Sequence, residues 1–402
     1  MKLLNWQNVR KRWKKLALIS LPIGYGLYAL KRNYEISKYM RAVCNDVKDK
    51  DSGGSSKNVL VILNPMADKG KSEKNFTKFC EPVLHLSGYT VDIKKTKHIG
   101  HAKTLVESLE NIPDVIVVAG GDGTSSEVVT GLLRRGDTPC PIVLLPLGEK
   151  SKTALRYLDH TPNSKLETAN RLVSSLQPLI EDKTQFCSVI KYDIIENEEN
   201  QVNKPIYGLQ KFSWGLLRDI EANKNKYWYF GNLRHHAAAL FNAFSSKLEW
   251  NIAAKVVLTP PCPGCTNCKK PINQKPKISF ASFYTTRQVT EKTENFINEL
   301  CDVEESENIE MNQIDIFCNK NSESFFELKT DLVKSLTPGF NFIENISNVV
   351  HYAIEPATSL KSRTIKLYPS LTTANTYYID GEEYEVRPIK ISLIPNAIKL
   401  FC

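Results

Sequence analysis

Three short stretches of this 402-residue chain carry residue types that could bind and move a phosphoryl group. The first is Gly120-Gly121-Asp122-Gly123-Thr124, which follows the apolar run Val115–Ala119 and precedes Ser125–Arg135, a segment of helical character. Glycines at a strand-to-helix turn can take positive φ and bring backbone N–H groups close to an anion, while the next helix directs its positive end at the same place. Asp122 would repel a bare phosphate. It suits either a phosphate carrying Mg²⁺ or a loop that the carboxylate fixes through its own hydrogen bonds. The second stretch is Asn64-Pro65-Met66-Ala67-Asp68-Lys69-Gly70-Lys71-Ser72, a loop with glycine, lysines and a hydroxyl after the apolar run Val59–Leu63. The third is Asp380-Gly381-Glu382. One carboxylate there could accept the proton of a hydroxyl attacking a phosphate, and another could help place Mg²⁺ through water. Alone, it is also an ordinary hairpin turn between Tyr377–Ile379 and Tyr384–Val386. Glu382, Asp122 and Asp380 compete for the role of base. Neither glycine loop has the spacing of a P-loop, and no protein-kinase signature set is present.

The elements around these stretches alternate. Lys57–Leu63, Tyr89–Thr96, Val115–Gly120 and Pro139–Gly148 have strand character. Glu73–Ser87 (with a kink expected at Pro82), His101–Asn111, Ser125–Arg135 and Lys165–Gln177 have helical character. This alternation predicts a parallel sheet covered by helices, with both glycine loops at the carboxyl ends of strands, where ligands collect in such sheets. From Gln185 the pattern shifts to short alternating runs at Phe186–Ile195, Lys275–Tyr284, Ile314–Phe317, Thr364–Tyr368 and Ile389–Leu393, which predict an antiparallel sheet or sandwich. One helical stretch lies between Tyr227 and Trp250. Its adjacent His235 and His236 face different ways, which argues against a metal site. The acidic run Asp302–Glu307 within Glu291–Glu310 suggests a solvated helix and loop. The organisation expected is a leader and linker over 1–56, an α/β domain over 57–183, and a β-rich domain over 184–402 with an insertion at about 260–330.

The chain carries a net charge of +9, with 42% apolar and 24% charged residues. The charge excess lies in the first fifty residues, so it speaks of targeting and a membrane surface rather than of nucleic acid. No acid precedes Glu35, and basic clusters bracket the apolar run Leu16–Leu30, which is interrupted by Pro22, Gly24 and Gly26. An acid-free basic leader of this kind resembles a mitochondrial targeting sequence. The run falls short of the ~20 residues that span a bilayer and suits an interfacial or marginal membrane segment. The ten cysteines are mostly scattered, which does not suggest a secreted disulfide scaffold. Cys262, Cys265 and Cys268 alone cluster. Their spacing admits a structural zinc with a fourth ligand from elsewhere, a disulfide, or thiols in a loop.

Leu63-Asn64-Pro65 with Gly70 downstream, Gly120–Thr124 and Leu145-Pro146-Leu147-Gly148 resemble the diacylglycerol-kinase catalytic domain shared by lipid kinases, including sphingosine and ceramide kinases. Gly215–Asp219 followed by Lys226–Arg234 is more similar still to the acylglycerol-kinase branch of mitochondria. The resemblance covers most of Val59–Cys402. It implies a Rossmann-like nucleotide domain followed by an antiparallel β-sandwich. It implies transfer of the γ-phosphoryl of ATP, with Mg²⁺, to monoacyl- or diacylglycerol, yielding lysophosphatidic or phosphatidic acid. Asn64, Pro65, Gly70, Gly120, Gly121, Gly123, Thr124, Gly148 and Arg234 would then serve the nucleotide, and Asp219 the lipid head group. Asp122, Glu382 and Asp380 would serve catalysis, with Asp122 and Asp380 also as Mg²⁺ ligands. The aromatic run Tyr227–Phe230 fits core packing better than a lipid gate. One departure is Gly148-Glu149-Lys150-Ser151, where much of the family has Gly-Thr-x-Asn, which bears on nucleotide contacts. The resemblance further implies a place on the intermembrane-space side of the mitochondrial inner membrane. It also raises a rival role, as a non-catalytic subunit of the inner-membrane translocase for carrier proteins.

Overall fold

The computed structural model describes residues 6–48, 57–136, 140–148, 151–156, 167–195, 204–245, 252–261, 265, 302–318, 327–334, 355–370 and 376–402. The strands β1 (Asn58–Leu63), β2 (Thr90–Lys95), β3 (Val115–Gly120) and β4 (Ile142–Pro146) form a parallel sheet in the order β2-β1-β3-β4. β3 and β4 are buried along their whole length, as continuous apolar runs must be when helices cover both faces. Alternate residues feed opposite cores. Val61, Val117 and Val143 pack with the helical segments around Phe76–Leu84 and Leu172–Leu179, whereas Ile62, Ile116 and Ile142 pack with Val106 and Val128 on the other side. The predicted helix over Glu73–Ser87 is present in three pieces, with a π turn at Phe76–Cys80 immediately before the segment that Pro82 opens.

The remaining described strands are β5 (Thr184–Ile194), β6 (Ile206–Gly208), β7 (Lys211–Gly215), β8 (Ile252–Thr259), β9 (Glu305–Met311), β10 (Gln313–Cys318), β11 (Leu328–Val333), β12 (Thr358–Ser362), β13 (Thr364–Pro369), β14 (Thr376–Ile379), β15 (Glu382–Glu385) and β16 (Ile389–Phe401). Six of them form an antiparallel sheet in the order β12-β11-β10-β7-β14-β15. The others extend the first sheet as β4-β16-β13-β8-β9, with β5 paired to β16 and β6 to β5. The two layers face one another across a core that joins Tyr192, Val256, Ile365 and Ile391 from one to Phe212, Trp214, Ile316 and Tyr377 from the other. β16 is the seam. Its first half pairs with β13, and after an irregularity between Ile394 and Ile398 its Leu400 pairs in parallel with Ile142 of β4. The last strand of the chain thus ties the sandwich to the parallel sheet.

Three expectations need correction or lie outside the described residues. The helix and loop expected over Glu291–Glu310 give way, from Glu305 onward, to edge strand β9, whose exposed acids suit a sheet edge by discouraging further strand addition. The strand expected at Lys275–Tyr284 lies outside the described residues. The leader is a single helix from Trp6 to Lys48 that continues through Pro22. Its distal part docks Ile36, Met40 and Cys44 into the parallel-sheet core, and the Tyr39 and Ser174 hydroxyls lie 3.2 Å apart. Ile23, Tyr25, Leu27, Tyr28, Leu30 and Tyr34 remain exposed. No helix among the described residues is long and apolar enough to cross a membrane.

Candidate active site

The glycine loop after β3 is built for close approach rather than for unusual dihedrals. Among its glycines none takes positive φ, contrary to the sequence expectation, and Gly121 is extended (φ −99°, ψ −172°) as it caps the helix Asp122–Arg135. What the loop needs is space. A Cβ on Gly148 would come within 2.6 Å of the Gly121 Cα, so the turns after β3 and β4 touch backbone to backbone. A Cβ on Gly123 would run into the Glu382 carboxylate, whose Cδ and Cγ would both lie 3.0 Å away. Glu382 opens β15 in the opposite layer. Two stretches some 260 residues apart in sequence therefore meet at the N-terminus of one helix, which has no side-chain cap of its own.

The first loop is fastened to the second. The Asn64 side-chain amide donates to Thr124 Oγ1 (3.1 Å), its backbone N–H to the Ala119 carbonyl (2.9 Å), and its carbonyl accepts from the Ser72 hydroxyl (2.5 Å). Here lie the left-handed residues: Asp68, Lys69 and Gly70 have φ of 48°, 56° and 80°. This run swings Lys69 to an open cavity of about 460 Å³ that it lines with Trp228, Gly231, Arg234 and His235. Lys69 and Arg234 thus put two cations around one cavity. Pro65 begins the turn between Asn64 and this run.

The three carboxylates singled out in the sequence are used differently. Asp122 Oδ1 accepts the Thr153 N–H (2.8 Å) and Oδ2 the Lys152 N–H (3.0 Å), so Asp122 caps the short helix Lys152–Arg156 and anchors the turn after β4. Asp380, at φ 49°, is buried, and its two oxygens accept the backbone N–H groups of Leu209, Gln210 and Lys211 at 2.7–3.0 Å. Burial pushes its carboxyl up to about 6, against the pull of those three bonds and with a contribution from Asp122. Glu382 has no such backbone cage. Burial raises its carboxyl to about 7, the neighbouring Glu127 and Asp380 add to the rise, and the Tyr384 hydroxyl, 3.3 Å away, opposes it. Such a group exchanges its proton near neutrality.

Asp219, on the helix Leu216–Asn223, accepts from the Tyr378 hydroxyl at 3.4 Å, which places it beside β14 and the turn that carries Asp380. Several participants carried no sequence signal. Glu127 accepts the Gly100 and Ala102 N–H groups and so fixes the start of the helix His101–Glu107 while also facing Glu382. Gln210 bonds Asp380 through its backbone and reaches Asp122 Oδ2 at 3.4 Å through its side chain. The Ser151 hydroxyl accepts the Gly148 N–H (2.7 Å), a contact available to the residue that departs from the Gly-Thr-x-Asn pattern, while Glu149 and Lys150 lie outside the described residues. Lys69 alone could have been found, as a cation within a glycine loop.

The aromatic run is not core. Trp228 is 75% and Tyr229 61% exposed, because Gly231 (φ 55°) breaks the helical path and leaves the run on the surface beside the cavity. No group of three or more potential ligands suited to a metal exists among the described residues; Cys265 is buried, and Cys262 and Cys268 lie outside them.

Residues 58–180 match the family described as diacylglycerol kinase catalytic domain, and residues 207–402 match acylglycerol kinase C-terminal. The chain is 30% identical to a protein of Homo sapiens named "Acylglycerol kinase, mitochondrial", over 99% of this chain and 96% of that one. It is 29% identical to the Mus musculus protein of the same name, with the same coverage. A crystal structure of a putative diacylglycerol kinase from Bacillus anthracis shares the fold, with a TM-score of 0.53 at 16% identity over 87% of this chain and 97% of that one.

Proposed function

The chain belongs to the acylglycerol kinase family and is a lipid kinase, and on that premise we propose that it transfers the γ-phosphoryl group of Mg-ATP to the free hydroxyl of monoacyl- and diacylglycerol. The observation that carries this reading is the Glu382 carboxylate seated on Gly123 at the start of the glycine-loop helix. Its carboxyl, raised to about 7, can take the proton of the acylglycerol hydroxyl as the oxygen–phosphorus bond forms and the bond to the ADP oxygen breaks. The products are lysophosphatidate or phosphatidate and ADP. No covalent intermediate on the protein is required, since phosphoryl transfer rests on positioning and charge stabilisation.

The other residues position. Lys69 and Arg234 offer their cations to the phosphates at the cavity they line, and the glycines at 120, 121, 123 and 148 let the turns after β3 and β4 and the Glu382 carboxylate come together beside them. Asp122 holds the β3 and β4 turns together through the Lys152 and Thr153 amides and, half-buried where Asp380 is buried, keeps open lone pairs that could face the Mg²⁺ of Mg-ATP. Asp380 is the poorer ligand, because it is buried with three backbone amides on its oxygens; its work is to fix the Leu209–Lys211 turn. Asp219 suits the hydroxyls of the lipid head group. The basic leader helix supports a location at a mitochondrial membrane; the inner membrane, on its intermembrane-space side, is the placement that the resemblance to acylglycerol kinases implies.

Labelled γ-phosphate from Mg-ATP, offered with a panel of monoacylglycerol, diacylglycerol, ceramide and sphingosine in mixed micelles, tests the reaction. Wild-type protein is expected to label the acylglycerols, and Glu382→Gln to lower turnover by roughly 10²- to 10⁴-fold. Equal rates in the variant would remove Glu382 as base. No labelled lipid from folded protein would favour the non-catalytic role in the carrier translocase.

A further inference from the structure

We propose that the exposed aromatic platform beside the cationic cavity is a membrane-docking face that seats the mouth of the active site on an anionic lipid surface. The proposal rests on the lipid-kinase reading only in that the acceptor must come from a bilayer. Its evidence is separate. Trp228, Tyr229 and Leu233 are 75%, 61% and 61% exposed, and Phe230 and Phe241 are exposed beside them. These side chains are preassembled. Tyr229 and Phe230 have ring centroids 4.7 Å apart, Phe230 lies 6.2 Å from Phe241, and the half-buried Tyr227 stacks on Phe241 at 5.1 Å. A large exposed apolar patch with fixed geometry marks a surface that meets something.

Charge and residue type select the occupant. Lys224 is buried against Glu221 and adds no surface charge, whereas from Asn225 to Ser245 the sequence has no acid and Lys226 and Arg234 add positive charge. Lys226 is exposed within the patch itself, and Lys69 and Arg234 line the adjoining cavity. Trp and Tyr with flanking cations are the side chains that favour the water–lipid boundary, the rings entering the head-group layer and the cations meeting its phosphates. The platform adjoins the helix Leu216–Asn223 that carries Asp219. A lipid rising from the bilayer there would travel a short way to the site without crossing water.

The test uses the full chain, leader included, beside the double variant Tyr229→Ser/Leu233→Ser, whose side chains are largely in solvent. Sedimentation with vesicles of phosphatidylcholine, with and without phosphatidylglycerol, reads binding. Turnover is measured with diacylglycerol in the same vesicles and with a short-chain acylglycerol kept monomeric. Wild-type binding is expected to require phosphatidylglycerol and to weaken with salt. The variant is expected to lose about tenfold in binding and in turnover of vesicle-borne substrate, with unchanged turnover of the monomeric one. Equal vesicle binding and turnover in both chains would overturn the proposal and point to a protein partner for the patch. Equal loss on both substrates would also overturn it, since the patch would then serve folding or catalysis. Failure of wild type to phosphorylate the monomeric acylglycerol would count against the functional reading, leaving the vesicle-binding comparison to decide the platform.

Discussion

The two glycine loops stand at neighbouring strand ends, yet they use glycine for opposite reasons. The loop after β1 is a run of left-handed residues, exposed at Lys69 and Gly70, and Lys69 has a side chain that disfavours that conformation. There the backbone carries strain and presents a cation. The loop after β3 has ordinary dihedrals and almost no free space: Gly121 lies against Gly148, and Gly123 against Glu382. There glycine is required by neighbours brought from elsewhere in the chain. A glycine chosen for conformation answers to its own φ, whereas one chosen for space answers to the tertiary structure.

That contrast can be broken experimentally. Gly123→Ala should have the largest effect, since its methyl group must displace the Glu382 carboxylate. Turnover is expected to fall roughly 10²-fold, as small misplacements of a reacting group do, while circular dichroism still reports a folded protein. Wild-type turnover in this variant would separate Glu382 from the glycine loop. Lys69→Gly should act in the opposite sense on stability and activity. Removing the left-handed lysine is expected to stabilise by about 1 kcal/mol in denaturant melts and to raise the KM for Mg-ATP about tenfold. Lys69→Ala should share the KM effect and lack the stabilisation.

The smallest expected effect is on pH dependence. Glu382 titrates near 7 in the folded chain against an ordinary 4.5, so the folded state holds this proton more tightly than the unfolded one. The stability contributed is present at low pH and is lost as pH rises through about 7. Glu382→Gln removes that loss. Its melting temperature relative to wild type should therefore climb by a few degrees between about pH 5 and pH 8. In wild type kcat/KM should rise over the same interval as the base is deprotonated. A flat difference in melting temperature would mean that Glu382 ionises like a surface carboxylate.

Much of this was legible in the chain. Continuous apolar runs fixed β1, β3 and β4 as buried parallel strands, because a strand covered on both faces has no polar side to show. The loops at their carboxyl ends followed from that. The alternating runs at 186–195, 314–317, 364–368 and 389–393 likewise gave antiparallel strands. The charged segment from Glu305 misled, since an edge strand with an exposed face has the composition of a solvated loop. The run Tyr227–Phe230 misled in the other direction: aromatic composition suggests burial, and the backbone break at Gly231 leaves these rings outside.

Sequence by itself determined the parts: glycine loops, a carboxylate pair, a basic leader and the strands that hold them. Tertiary structure decided how the parts divide the work. Asp380 and Glu382 are two residues apart, and nothing local distinguishes them as acids. The fold surrounds Asp380 with the amides of Leu209, Gln210 and Lys211, whereas it sets Glu382 against Gly123 and Glu127. Desolvation and neighbouring charge, which differentiate the two carboxylates, depend on what lies around a group in space. Those surroundings come from segments more than a hundred residues away, so they exist only in the folded chain.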